Sequence, residues 1–496
     1  MDVIFWNSPP DGDFFSRYIG PYKLVHWIKK HGIESQVIDF ITKLSEEQLY
    51  QITKKFITTD TLVLGISTTF LTMKSHVDSE GKSSPFPPHI LKTVIRLKSE
   101  YPKLKIVLGG YISDHLNMGG LVDAVVMSYT NPVEDIFLEY VNHYKLGTPL
   151  PFGQLQSSLR EERKKFTRAR MMYDTARNPK YHIEQDDFKW GPRDCILDRE
   201  SLPLDVSRGC IFKCRFCQYP HLGKNKYDYV RRMEHIKEEL IDNYNNFNTT
   251  NYMILDDTFN DTEFKMQAFN DMVASLPFKI NYTAYLRADL IDRFPNTAYL
   301  LKDSGLWGAF FGLESLHPYA SNLVGKAWSG KQAKEKIPNL VHNIWNSEIP
   351  ITSSFIVGLP KETKQDLWNT LNWWKQNNLH SIAFHKLGII NVNANSRYSV
   401  FSEFDLNLEK YGFRFEEKIW VNETWNEDDA LAFSTQIQRH ALSNNKMTIW
   451  NLGNLLALGY TKEQLMTILI KDFDMPSIRE LNRARYEEYF LKLSQL

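Results

Sequence analysis

The first 145 residues alternate two hydrophobic periods. Short apolar runs at 3–6, 36–40, 62–66, 105–108 and 124–127 have the length of buried strands. Between them the period lengthens to that of a helix: Leu24, Trp27 and Ile28 share one face of 22–30, and similar stretches cover 45–57, 89–101 and 133–144. Ser45 and Gln48 are spaced as a capping box that opens the second of these helices, and Pro102 ends the third. Strands and helices alternating at this rhythm predict a doubly wound parallel sheet, a Rossmann-like unit.

The alternation returns after residue 204 with a different rhythm. Strands are expected at 204–207, 252–255, 280–285, 308–312, 352–357 and 381–387, with helices near 233–244, 262–276, 297–303, 332–345 and 363–376. Six repeats suit a partial (β/α)6 barrel, the segment being short for eight. The stretch 146–200, with its charged run Arg160 to Arg170, reads as a linker. Residues 391–496 have helical periodicity at 428–444 and 461–471 and read as a small, mainly helical region. The expected α/β chain therefore divides into 1–145, 146–200, 201–390 and 391–496.

Charge narrows the partners. Lysine plus arginine equals aspartate plus glutamate, 59 each, so the whole chain exerts no strong pull on nucleic acid or anionic membranes. With no recognisable RNA-binding motif, nucleic acid is disfavoured as a partner. No stretch approaches the roughly 18 apolar residues of a membrane span, and the start carries no basic leader, so the expected location is the cytoplasm. Of four cysteines, Cys210, Cys214 and Cys217 fall within eight residues. Such clustering points to a metal site in a reducing compartment rather than to disulfides, and the lone Cys195 reads as an ordinary buried thiol.

The three thiols lie on a loop directly after an expected strand, in Asp205-Val-Ser-Arg-Gly-Cys-Ile-Phe-Lys-Cys-Arg-Phe-Cys217. Soft thiolates select iron-sulfur clusters, zinc or copper. Structural zinc takes four ligands, and no further Cys or His pair follows at finger-like spacing. Three ligands on a four-iron cluster leave one iron open to a fourth partner. Cys-x3-Cys-x2-Cys with Phe216 before the last cysteine resembles the signature of the radical S-adenosylmethionine (SAM) superfamily. That resemblance implies a 4Fe-4S cluster on Cys210, Cys214 and Cys217, SAM chelated at the open iron, and reductive cleavage of SAM to a 5′-deoxyadenosyl radical.

Later strand ends resemble further superfamily motifs, in order. Ile254-Leu-Asp-Asp-Thr-Phe259 resembles the second-strand motif of members that include the elongator catalytic subunit, which implies Asp256 and Asp257 near the SAM amino group, one of them serving instead as a helix cap. Tyr285-Leu-Arg287-Ala-Asp289 resembles the third-strand motif and implies a forked contact from Arg287 to the SAM carboxylate. Gly312-Leu-Glu314-Ser315, followed by Lys326, resembles the fourth, with Glu314 accepting from ribose hydroxyls. Phe355-Ile-Val357-Gly-Leu-Pro360 with Glu362 resembles the fifth, which packs along the adenosine. The implied SAM contacts are Phe216, Asp256, Asp257, Arg287, Gly312, Glu314 and Val357.

A Rossmann-like unit ahead of such a barrel is similar to the cobalamin-binding subgroup of the superfamily. Leu64-Gly-Ile-Ser67-Thr68-Thr69, Val107-Leu-Gly109-Gly110 and Val122-Asp-Ala-Val-Val126 resemble its strand ends, which implies cobalamin beside Ser67, Thr68, Gly109 and Gly110. The axial-histidine pattern Asp-x-His-x-x-Gly is missing, and Ser128-Tyr-Thr-Asn131 stands where the subgroup has Gly-Glu-Gly-Glu. The function so implied is cobalamin-dependent methylation, or a related modification, of an unactivated carbon in a small-molecule or peptide substrate, with a reductant protein feeding the cluster. A cobalamin-independent radical SAM enzyme and a non-catalytic iron-sulfur protein are the alternatives. His26 and His115 read as packing or surface residues, and the tryptophans as core, with Trp420 and Trp425 as candidates for a substrate mouth.

Overall fold

The structure, a computed structural model, describes residues 1–9, 14–71, 76–77, 83–84, 87–110, 121–126, 132–148, 170–172, 180–217, 229–392, 401–442, 449–468 and 475–496. The chain forms two compact units: Met1–Asp198 with Pro476–Leu496, and Arg199–Met475. Among the described residues no helix is long and apolar enough to cross a membrane.

The first unit is built on six parallel strands: β1 (Val3–Trp6), β2 (Ser35–Ile38), β3 (Val63–Ser67), β4 (Lys105–Gly109), β5 (Ala124–Val126) and β6 (Arg170–Met172). Their order, β2-β1-β3-β4-β5-β6, reverses direction at β1, as in a doubly wound sheet. Both faces of β1 and β3 are buried, which is why these strands read as continuous apolar runs. Helices α1 (Gly20–Lys29), α2 (Glu46–Phe56), α3 (Pro88–Glu100) and α4 (Val133–Leu146) connect or flank them. The capping box of α2 forms: Ser45 Oγ accepts from the Gln48 backbone N–H, and Gln48 Oε1 accepts from the Ser45 N–H. The second strand stops at Ile38, short of the expected residue 40, because Phe40 turns left-handed with φ of 56°.

Two stretches fall differently from the sequence expectation. In the region read as a linker, Arg170–Met172 adds the edge strand β6, and Tyr181, Phe188 and Trp190 are buried in the same unit. Lys23 and Asp186 pair there at 2.5 Å, both almost wholly buried. The charged run 160–169 lies outside the described residues, as do His115 and the segment 127–131. The final helix, Met475–Gln495, is not part of a C-terminal appendage either. Its Tyr489 and Leu493 complete the apolar cluster formed by Phe15, Phe40, Leu49 and Leu197. The Tyr489 hydroxyl accepts from the Asp39 backbone N–H at 2.8 Å, and Asn482 Oδ1 accepts from Phe15 N–H at 2.7 Å. The Arg17 guanidinium lies 4.9 Å from the centre of the Tyr489 ring. Helical spacing alone does not reveal which sheet a terminal helix covers.

The second unit is a partial (β/α)6 barrel. Its parallel strands β7 (Leu202–Leu204), β8 (Asn251–Ile254), β9 (Asn281–Leu286), β10 (Leu306–Glu314), β11 (Ile351–Val357) and β12 (Ser381–Lys386) lie side by side in chain order. Helices α5 (Met233–Phe247), α6 (Glu263–Ala274), α7 (Ala288–Arg293), α8 (Asn296–Asp303), α9 (Pro318–Leu323), α10 (Gly330–Pro338) and α11 (Lys364–Gln376) intervene. Strand alternation sorts the side chains. Phe311 stacks on Trp345 and Phe355 meets Trp374 edge-on, so these positions face the helices. Thr283, Tyr285, Phe310, Ser354, Ile356 and His385 share the opposite, inner face through their strand register.

Residues 391–475 are part of this unit. A hairpin of β13 (Arg414–Glu416) and β14 (Ile419–Val421) precedes α12 (Glu427–Leu442), which packs on β12. The segment from Ile449 into α13 (Leu452–Ala457) inserts at the amino-terminal half of the strands: Ile449 N–H donates to Thr352 Oγ1, and a Cβ at Gly308 would meet Ile449, Leu452 and Thr283 at 3.1 Å.

Leu493 has no exposed surface, so Leu493→Ala should destabilise the protein by about 2–5 kcal/mol. Urea denaturation checks this; a cost below about 1 kcal/mol would show that the last helix is not core to its unit.

Candidate functional site

The carboxyl ends of the barrel strands carry the cysteine loop, and its first anchor is a buried carboxylate. Asp256 Oδ1 accepts the backbone N–H groups of Val206 and Ser207 at 3.0 and 2.8 Å, while Oδ2 accepts the Ser207 hydroxyl at 2.5 Å. Lys265, on α6 and 1% exposed, faces the same carboxylate at 3.2 Å and Asp261 at 2.8 Å. Burial raises the Asp256 pKa, while Lys265 and the Ser207 hydrogen bonds pull it down. On the other side of the strand end, Arg231 donates its backbone N–H to Val206 O and its guanidinium to Asp205 O, and pairs with Glu239 at 2.7 Å in full burial. Residues 205–207 are thus clamped from both sides.

Asp256 therefore differs from its expected placement. Its oxygens are engaged by the loop and by Lys265, and the cap of α6 is Thr262, not an aspartate. The neighbouring Asp257 is exposed at the same strand end, in the register of the inner face.

Gly209, with φ of 78°, turns the chain into the cysteines. All three cysteines are outside any disulfide and half-buried. Cys210 Sγ lies 3.3 Å from Thr258 Oγ1, at the end of β8, and Cys217 N–H closes a turn on Cys214 O at 3.0 Å. Cys214 Sγ is 4.0 Å from Arg287 Nη1. Burial pushes the Cys214 thiol up, and the nearby Lys326 and Arg287 charges favour its thiolate. Three soft donors on one loop, half-buried beside two cations, fit a three-ligand cluster with its negative charge balanced.

Arg287 ends β9, held to the second-strand turn by a reciprocal pair of hydrogen bonds between its backbone and the Asn260 side chain, 2.8 and 2.9 Å. Its guanidinium is stacked 4.0 Å from the Phe212 ring centre and forked onto Asp289 at 3.0 and 2.6 Å. The fork expected for a cofactor carboxylate is turned to Asp289 here, with Nη1 toward Cys214.

At the fourth strand end a bulge separates Gly312 from Glu314, whose φ of 67° is left-handed. Lys326 Nζ donates to Gly312 O at 2.5 Å and to Glu314 Oε1 at 2.6 Å, and lies 5.9 Å from the Phe216 ring centre. A Cβ on Gly312 would sit 2.3 Å from Glu314 Oε1 and 2.8 Å from Lys326 Nζ, so a side chain there would displace the tips of that pair. Burial works against the Lys326 ammonium, yet Glu314 and Cys214 raise its pKa. Phe216, Gly312, Glu314 and Lys326 therefore meet at one strand end.

At the fifth strand end, Val357 is wholly buried and shares parity with helix-facing Phe355; Ile356 takes the inner face. Glu362 is buried and its pKa is pushed up to about 8 by that burial, with Oε1 accepting the Ser315 hydroxyl at 2.6 Å. The expected substrate-mouth tryptophans do not line an opening. Trp420 is fully buried beneath Gly358, and Trp425 donates to Glu362 O at 2.6 Å.

Sequence reading missed Arg215 and His385. Arg215 lies between two ligands, in positions the motif leaves open. His385 lies on the inner face of β12, where its pKa is lowered by burial and raised by Glu314; only the alternation of 381–386 hints at it.

In the first unit, Ser67 and Gly109 are register partners at the carboxyl ends of β3 and β4. The Thr68 backbone and hydroxyl both donate to Gly109 O, at 2.8 and 2.9 Å. Gly110 has φ of 117° and a Cβ there would lie 2.6 Å from Thr69 Oγ1, whereas the nearest atom to a Cβ on Gly109 would be Val126 O at 3.6 Å. The four residues form a small-residue edge next to the sheet's switch point, where doubly wound folds hold cofactors.

Two outcomes follow. Asp256→Ala, by leaving Lys265 and the 206–207 donors without their acceptor, should cost about 3–5 kcal/mol in urea denaturation, and a loss under about 1 kcal/mol would show the clamp to be dispensable. Glu362 has a folded-state pKa of about 8 against an ordinary 4.5, so its protonated form contributes stability below pH 4.5 that is lost as pH rises to about 8. Glu362→Gln should flatten that fall; an unchanged stability–pH slope would refute it.

Residues 204–373 match the radical SAM superfamily. No curated protein matches the sequence. Among solved structures, the chain is similar to the radical SAM methyltransferase TsrM from Kitasatospora setae with tryptophan substrate and a SAM analogue bound, at 14% identity and TM-score 0.59, over 89% of this chain and 84% of that one. It is also similar to TsrM with cobalamin and a 4Fe-4S cluster bound, at 12% identity and TM-score 0.56, over 84% of this chain and 76% of that one. The cobalamin-dependent SAM radical enzyme OxsB, with aqua-cobalamin bound, matches at 13% identity and TM-score 0.59 over 99% of this chain and 72% of that one. At these identities the likeness is one of fold. The chain thus carries a radical SAM domain over residues 204–373, within a fold shared with TsrM and OxsB.

Proposed function

We propose that the protein is a cobalamin-dependent radical SAM enzyme that methylates, or otherwise modifies, an unactivated carbon of a small-molecule or peptide substrate. The observation that carries the reading is the three-thiol loop at the carboxyl edge of the barrel, with Arg287 and Lys326 beside Cys214. The fold shared with enzymes whose structures hold cobalamin supports the second cofactor.

Cys210, Cys214 and Cys217 would hold the cluster, and Ser67, Thr68, Gly109 and Gly110 would line the cobalamin edge. When bound, the cluster supplies one electron for reductive cleavage of SAM, and cobalamin supplies a methyl carrier. The chain's own residues bind and orient. Arg287 and Lys326 balance the thiolates' charge, and Glu314, fixed by Lys326, presents a carboxylate where ribose hydroxyls would dock. Asp257, exposed beyond the second strand end, carries a carboxylate of the charge suited to an ammonium. A reductant protein supplies the electron.

Anaerobically reconstituted protein given SAM and a strong reductant should release 5′-deoxyadenosine, and S-adenosylhomocysteine only when cobalamin is loaded. Cys214→Ala should lose the cluster's absorbance and both products. A full cluster in Cys214→Ala would overturn the ligand assignment, and equal S-adenosylhomocysteine without cobalamin would overturn the cobalamin part alone.

A further inference from the structure

Arg215 occupies one of the two positions between Cys214 and Cys217, yet it makes more contacts outside the loop than a spacer requires. Its backbone N–H donates to Val324 O at 3.0 Å, and its carbonyl accepts from Phe404 N–H at 2.9 Å. Its guanidinium Nη1 lies 3.3 Å from Asn322 O and 3.2 Å from Leu323 O, carbonyls at the end of α9, the first of which also accepts the Gly325 N–H at 3.2 Å. Gly325, with φ of 77°, lets the chain pass: a Cβ there would meet Arg215 Cγ at 3.1 Å.

The segment so gripped leads directly to Lys326, which holds Glu314 and Gly312 and faces the ring of Phe216. Residues 215 and 216 of the cysteine loop thus both bear on 322–326. The loop of the thiols and the bulge of the fourth strand are thus linked through this segment.

We propose that Arg215 is a positioning residue that locks the cysteine loop to the 322–326 segment, and so fixes the distance between the cluster and the groups that receive SAM. This rests on the cofactor reading above. Both contacts come from one nitrogen, Nη1, which stands one bond farther from the backbone than a lysine ammonium reaches.

The test uses full-length protein, reconstituted anaerobically, in wild-type, Arg215→Gln, Arg215→Lys and Gly325→Ala forms. Iron and sulfide content reports whether the cluster is held, and the change in the electron paramagnetic resonance spectrum of the reduced cluster on titration with SAM reports its capture. The expected result is a full cluster in all four, with the SAM midpoint raised about tenfold in Arg215→Gln, equivalent to about 1.4 kcal/mol. Arg215→Lys should recover part of the shift. Gly325→Ala, which presses on Arg215 from the other side of the contact, should show the same shift and carries the test if Arg215→Gln fails to fold. A wild-type midpoint in Arg215→Gln or in Gly325→Ala would overturn the proposal while leaving the cofactor reading intact. A wild-type protein that takes up no cluster would overturn that reading itself.

Discussion

The carboxylate of Asp256 accepts three hydrogen bonds from residues 206 and 207 while facing Lys265, and the cysteine loop departs from that point. A charge buried this deeply is tolerable only when paired and fully hydrogen-bonded. The constraint therefore runs in both directions: the strand end cannot shift without exposing Asp256 to an unpaired state, and Asp256 cannot leave without releasing the strand end. The second clamp, Arg231 with Glu239, works on the carbonyls of Asp205 and Val206. Every placement beyond it, from Gly209 to the thiols, inherits its accuracy from this pair of buried ion pairs.

The fold was legible where one hydrophobic period dominates. Strands buried on both faces, such as Val3–Trp6 and Val63–Ser67, and amphipathic helices with caps, such as Glu46–Phe56, were readable because local pattern and tertiary burial agree. The cysteine loop and the turn of Gly312, Glu314 and Lys326 were readable because chemistry demands particular side chains at fixed spacing. Asp256 was misplaced because a motif names a carboxylate without saying which face of the strand end it takes; one residue of register separates the interior anchor from the exposed Asp257. Val357 and Ile356 differ in the same way. Arg215 carries no local signature, since its partners are backbone carbonyls more than a hundred residues away.

The barrel's inner face has a polarity along its axis. Ile449 and Leu452 fill the amino-terminal half against Gly308 and Thr352, whereas Glu314, Lys326, Arg287 and His385 gather toward the carboxyl ends. Between them lie Tyr285 and Phe310, edge to face at 5.1 Å. An apolar floor beneath a charged rim strengthens electrostatic contacts made at the rim, because the medium on one side cannot screen them.

The return of the last helix to the first unit has a consequence for the order in which the protein is made. Tyr489 and Leu493 seat against strands and helices synthesised more than 400 residues earlier, so that sheet lacks part of its cover until the helix 475–495 has been made. Chains made at about 5–20 residues per second leave that apolar groove open for tens of seconds. The barrel's residues 199–475 are contiguous, so the chain that forms it is complete within that interval. The unit built on residues 1–198 is thus covered only after the barrel's chain has been made.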